Sequence, residues 1–183
     1  TIERNRKISI LKIVRLILIF TMLVLLNKES KAQWSYINSI ETSLDKNFSN
    51  YESWLKNNDY HETSKYDNIA GRKATTMASI YSVPLVAKVY DSKSQPTKIH
   101  CYIDSKQNLR SIDVFLVNPK PGEFENIQLV LLKSGFLLIS ESKNDNDKTT
   151  RTYFQKKNIR LNLSVPDDKS YLTISAGTLN NYE

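Results

Sequence analysis

From Leu85 onward, apolar residues recur at every second position in short runs, and each run closes in a polar turn. Ile159, Leu161, Leu163 and Val165 alternate with Arg160, Asn162 and Ser164. Ile112, Val114 and Leu116 repeat the pattern, and Ile99, Cys101 and Ile103 are set against Lys98, His100, Tyr102 and Asp104. Successive side chains of a strand point to opposite faces, so this period of two marks strands with one apolar face. The intervening turns, 92–96 and 105–108, are too short to carry a parallel crossover. An antiparallel sheet is therefore the frame into which everything else must fit.

Two helical stretches interrupt the alternation. Trp34, Ile37, Ile40, Leu44, Phe48, Tyr51 and Leu55 are spaced by three or four, which predicts one amphipathic helix running to Asn57 and Asn58. Glu52 and Lys56 form an i, i+4 pair on its polar side. A second helix is expected over 123–134, with Glu123 and Glu125 at its positive end, Lys133 at its negative end and Gly135 as the left-handed cap. Phe124, Ile127 and Leu131 form its expected buried face. Strands are expected at 75–81, 85–90, 98–103, 109–117, 136–142, 149–156, 159–165 and 171–176, with Pro84 breaking the run between the first two. The resulting fold class is α+β: an antiparallel sheet of about six or seven strands with two helices on one face, laid out as two helix-plus-meander units. Residues 58–73 show neither period and read as a long polar connection. Tyr60, His61, Tyr66 and Asp67 make it the first place to look for a ligand contact, although a disordered crossing is the plainer reading.

Ahead of this single expected domain, 33–183, stands a different kind of sequence. Arg4, Arg6, Lys7, Lys12 and Arg15 precede an unbroken and almost wholly apolar run, 16–26, followed by Ser30-Lys31-Ala32. Such a run, flanked by Arg15 and Lys28, is short for a spanning helix, which needs about 20 apolar residues. Residues 1–32 resemble a bacterial Sec signal peptide, cleaved after Ala32, and imply a secreted or periplasmic protein. An uncleaved leader would instead anchor the chain to a membrane. Composition changes with this reading. The whole chain has net charge +7, but removing the 7 basic and 2 acidic residues of 1–32 from 26 and 19 leaves 19 and 17. A domain of near-neutral charge, without a run of five basic residues, gives no reason to expect nucleic acid. Lys156, Lys157 and Arg160 read as the solvated face of a strand pair. Cys101 is alone, so stability must come from packing.

Chemistry is sparse. Cys101 lacks a base, because His100 lies next to it on a strand and must face the other way. His61 would have to reach it from the polar connection. Two histidines and one cysteine in no ligand spacing give no zinc motif. Asn144-Asp145-Asn146-Asp147 lacks the glycine and the terminal glutamate of a calcium loop and reads as a hairpin turn. Four scattered glycines exclude phosphate-binding loops as far as motifs can. Asp104, Asp113, Glu141, Asp167 and Asp168 could supply paired carboxylates, but nothing in their spacing requires it. Tyr36, Tyr60, Tyr66, Tyr81, Tyr90, Tyr102, Tyr153, Tyr171 and Tyr182 suit either a binding surface or half-buried strand positions, the second being commoner. No catalytic, cofactor-binding or metal residue is assigned and no cofactor is expected. The function expected is an exported, non-enzymatic domain that binds a protein or small ligand through its sheet face or through 58–73. A hydrolase with scattered carboxylates and a membrane-anchored envelope protein are the alternatives.

Overall fold

The computed structural model describes residues 37–67, 85–93 and 97–179. Helical residues 37–43 (α1) and Phe48–Asn57 (α2) precede four strands: β1 (Tyr60–Tyr66), β2 (Val86–Ser92), β3 (Thr97–Ile103) and β4 (Leu109–Val117). A third helix, α3 (Glu123–Lys133), leads to β5 (Leu137–Asn144), β6 (Thr149–Lys156), β7 (Ile159–Pro166) and β8 (Tyr171–Thr178). The eight strands form one sheet in the order β1-β2-β3-β4-β8-β7-β6-β5, with every neighbouring pair antiparallel. Two four-stranded meanders thus meet at their last strands, β4 and β8. The expected α+β class and antiparallel sheet are present, with eight strands and three helical segments among the described residues in place of six or seven and two.

Each departure has a local cause. The single helix expected up to residue 57 is broken at 44–47, where Asp45 takes φ 59°. That break is held from outside. The Asp45 N–H donates to the Leu109 carbonyl, the Phe48 N–H to the Gln107 carbonyl, and the Leu109 N–H returns to the Lys46 carbonyl, at 2.8, 2.8 and 2.9 Å. The Asn47 side chain then caps α2 by accepting from the Ser49 N–H at 3.0 Å. A periodic apolar stripe cannot reveal such a break, because Leu44 and Phe48 keep their spacing across it.

Residues 60–66, expected as part of an aperiodic connection, form edge strand β1, paired to β2 through a bulge between Glu62 and Ser64. Their polar sequence, YHETSKY, is what an edge strand permits, since charge on an edge discourages pairing with other chains. The strand expected at 75–81, the turn at 94–96 and the leader at 1–32 lie outside the described residues. Among the described residues no helix is long and apolar enough to cross a membrane.

One face of the sheet carries the core. The pairings place Cys101, Ile112, Ala176, Leu161 and Phe154 in one row across five strands, and Ile99, Val114, Ile174 and Leu163 in the next. All are buried. Helices supply the other half of that core: Ile37 and Ile40 from α1, Phe48, Tyr51 and Leu55 from α2, and Ile127, Val130 and Leu131 from α3. In α3, Val130 takes the buried place expected for Phe124, which is only half-buried. Polar contacts at the rim show that all three helices lie on this face. Glu41 of α1 pairs with Lys156 at 2.6 Å, Glu52 of α2 with Lys88 at 2.9 Å, and Gln128 of α3 donates to Thr152 at 3.3 Å. The chain leaves α3 through Gly135 at φ 84°, a left-handed position that glycine occupies without strain.

Candidate functional site: the helix-free face of the sheet

The opposite face is built from the polar members of the same alternation. Three rows cross it through the central strands. Tyr102, Ser111, Gly177, Arg160 and Gln155 form the first, and His100, Asp113, Ser175, Asn162 and Tyr153 the second. Lys98, Phe115, Thr173, Ser164 and Arg151 form the third. None of the three described helices lies over them.

Asp113 is the centre of this surface. It sits on β4, flanked on its own strand by buried Ile112 and Val114, and is itself fully buried. The Tyr102 hydroxyl donates to its Oδ2 at 3.0 Å. Burial pushes its carboxyl up to about 6, against the Ser175 and Tyr102 hydroxyls, which favour the ionised form. Among the described residues its Oδ1 has no hydrogen-bond partner, nor do Ser111 Oγ and Asn162 Oδ1. These acceptors occupy adjacent rows of β4 and β7, so the middle of the face holds buried polar atoms that no other described residue matches. His100, opposite Asp113 on β3, packs its ring on Phe115 with centroids 4.9 Å apart. Burial, and then the neighbouring Lys98 charge, holds the imidazole below its ordinary pKa, which favours the neutral ring.

The residues weighed for catalysis do not converge. Cys101 is buried on the helix side, where burial, reinforced by the negative charge of Asp113, pushes its thiol well up. Its thiolate is disfavoured, and His100 faces away as the alternation requires. His61 lies exposed on β1 opposite Asp91. Asp104 serves a turn: it accepts from the Lys106 and Asn108 N–H groups at 2.9 and 2.8 Å and from Arg110 at 2.8 Å. Glu141 accepts from Thr152 at 3.2 Å on the helix side, and Asp167 pairs with Lys143 at 2.9 Å. Asp168 caps the last turn through Ser170. No three histidine, cysteine or carboxylate side chains among the described residues are grouped to hold a metal ion. The Asn144–Asp147 stretch is a hairpin turn, in which Asn144 accepts from the Asn146 N–H and Asp147 pairs with Arg151.

Tyrosines divide by position. Tyr60, Tyr90 and Tyr102 are buried, Tyr153 is half-buried, and Tyr66 and Tyr171 are exposed; Tyr36, Tyr81 and Tyr182 lie outside the described residues. The basic trio is likewise split. Lys156 stands on the helix side, Lys157 in a turn at φ 53°, and Arg160 on the helix-free face. No single solvated basic face exists there.

No family model, curated protein or solved structure matches the chain.

The polar centre could have been suspected from one signal. Asp113 interrupts an apolar stretch, Ile112 to Val114, in which a surface strand and a central strand look alike. What the pattern lacks is strand order: Ser175 and Asn162 join Asp113 only because β8 inserts between β4 and β7.

Proposed function

We propose that this chain is an exported binding domain without a catalytic role, whose helix-free sheet face meets a protein or small polar ligand. Export is supported by the basic leader, the apolar run 16–26 and the Ser30-Lys31-Ala32 exit. The observation that carries the binding reading is the sheet's asymmetry. One face is apolar and roofed by helices, whereas the other sets three rows of polar and aromatic side chains around Asp113: Tyr102, Ser111, Ser175 and Gly177 are buried with it at the centre, and Arg151, Tyr153 and Arg160 are half-buried around them. Flat strands fix such side chains at regular spacing, so little conformational freedom is lost when a partner settles on them. Of the two contact surfaces expected, the sheet face and residues 58–73, the sheet face is the one proposed, because 60–66 pair with β2 as an edge strand.

The test is comparative capture from the exported fraction of the source cells. The unaltered protein should retain a defined species, and an Arg151→Glu, Tyr153→Ala double variant should lose it. A Leu129→Glu variant on the helix side should keep it. If retention is indifferent to the Arg151 and Tyr153 changes, the face is not the binding surface. Mass analysis of the exported protein tests the address independently: a chain starting at Gln33 is expected, and one that retains the apolar run contradicts it.

A further inference from the structure

The two edges of the sheet are unlike. β1 carries Glu62 and Lys65 along its length, the charges that keep an edge from pairing with another chain. β5, at the far end, begins Leu137-Leu138-Ile139 and has no charge before Glu141. Leu137, Leu138 and Ile139, with Leu129 and Leu132 of α3, are between 47% and 69% exposed. Leu129 and Leu132 lie one turn apart, and the Leu132 carbonyl accepts from the Gly135 N–H at 3.0 Å in the turn that passes the chain to β5. Leu138 pairs with Phe154, whose side chain is in the core, so Leu138 points to the same side of the sheet as α3.

We propose that this edge pairs with the same edge of a second copy of the chain, around a twofold axis that passes near Leu138 and stands normal to the sheet. Such an axis makes β5 antiparallel to its copy and keeps the helices of both on one side. Leu138 then meets Leu138, Leu137 meets Ile139, and the two α3 helices lie on the same side of the seam. Leu137, Leu138 and Ile139 are 69%, 54% and 51% exposed on the pairing strand itself, so the seam buries apolar side chains at its centre. Charge agrees with the register: it sets Glu141 of each copy level with Gly135 of the other, two residues from Lys133 at the end of α3. A bulge between Leu138 and Ser140 shortens the main chain available for pairing, so side chains supply most of the contact. The product is one continuous sheet with both helix-free faces turned the same way.

Sedimentation of the protein, expressed from its full sequence and purified folded, is the primary test. Its mass should double between about 1 and about 100 μM, the range in which a modest interface saturates. A Leu132→Glu, Leu138→Lys variant should remain a monomer with an unchanged unfolding midpoint. Mild oxidation of a Leu138→Cys variant should give a covalent dimer, because the axis places that position opposite itself; buried Cys101 does not compete. This also decides the matter if the double variant fails to fold. A protein that stays monomeric throughout, as it would if its own remaining residues cover the patch, overturns the proposal. So does a double variant that still dimerises, or a crosslink that forms at Tyr66→Cys on β1 and not at Leu138→Cys.

Discussion

Replacing Asp113 by Asn preserves the shape of the side chain and its acceptor for the Tyr102 hydroxyl while abolishing its titration. In the folded protein burial lifts this carboxyl to about 6, from 3.8 when exposed to water. A group with a raised folded-state pKa contributes stability that is fully present below its unfolded value and lost as pH climbs through the folded one. The window therefore runs from about pH 4 to about pH 6. The gap of about two units, at ~1.4 kcal/mol per unit, is worth about 3 kcal/mol. Denaturant unfolding of both proteins from about pH 4 to about pH 8 reads it directly as a difference between extrapolated stabilities. The wild type should lose about 3 kcal/mol relative to Asp113→Asn over that span, most of it before pH 7. His100 opposite, and Lys98 and Asp91 one row away, are present in both proteins and largely cancel in the subtraction. A difference that stays constant across the range would mean that Asp113 ionises as in water, and the dry polar centre assigned to this face would be wrong.

Two further outcomes test the frame that carries the site. Leu161 is wholly buried in the row shared with Ile112 and Ala176, so Leu161→Ala should destabilise the fold by about 2–5 kcal/mol in the same unfolding assay; a cost below ~1 kcal/mol would show the core to be loosely packed there. Asn47→Ala removes the cap of α2 and should cost about 1 kcal/mol, with faster hydrogen exchange at the amides of Ser49 and its neighbours; unchanged exchange would assign the break at 44–47 wholly to its bonds with the β3–β4 turn.

How much of this was readable beforehand depended on whether the deciding contact was local. β6 runs from Thr149 to Lys156 where period two places it, and β4 from Leu109 to Val117, because both signals are carried within the strand. α3 likewise ends at Lys133 with Gly135 beyond it, both fixed by neighbouring residues. The break after Leu44 was not legible, since its cause is the β3–β4 turn more than sixty residues along the chain. Strand β1 was missed because a polar edge strand without alternation looks like a loop until β2 pairs with it. The candidate site was half-legible. Asp113 was one of five carboxylates that the sequence offers without distinguishing them, and its company of Tyr102, Ser175 and Asn162 is a property of strand order, which no stretch of sequence states by itself.

The junction of β4 with β8 governs the order in which the sheet can close. From β2 to β4 and from β5 to β8, strands joined by short connections can pair as soon as they are made, because little loop entropy opposes them. β4 must wait for its second neighbour until α3 and all of β5, β6 and β7 have been synthesised, and during that interval it is an unprotected margin bearing Ile112, Asp113 and Val114. Loss of β8 would therefore do more than fray a border. It would divide the sheet through its centre, leaving two half-sheets with an open apolar edge apiece, so β8 acts as the closure on which the integrity of both halves depends.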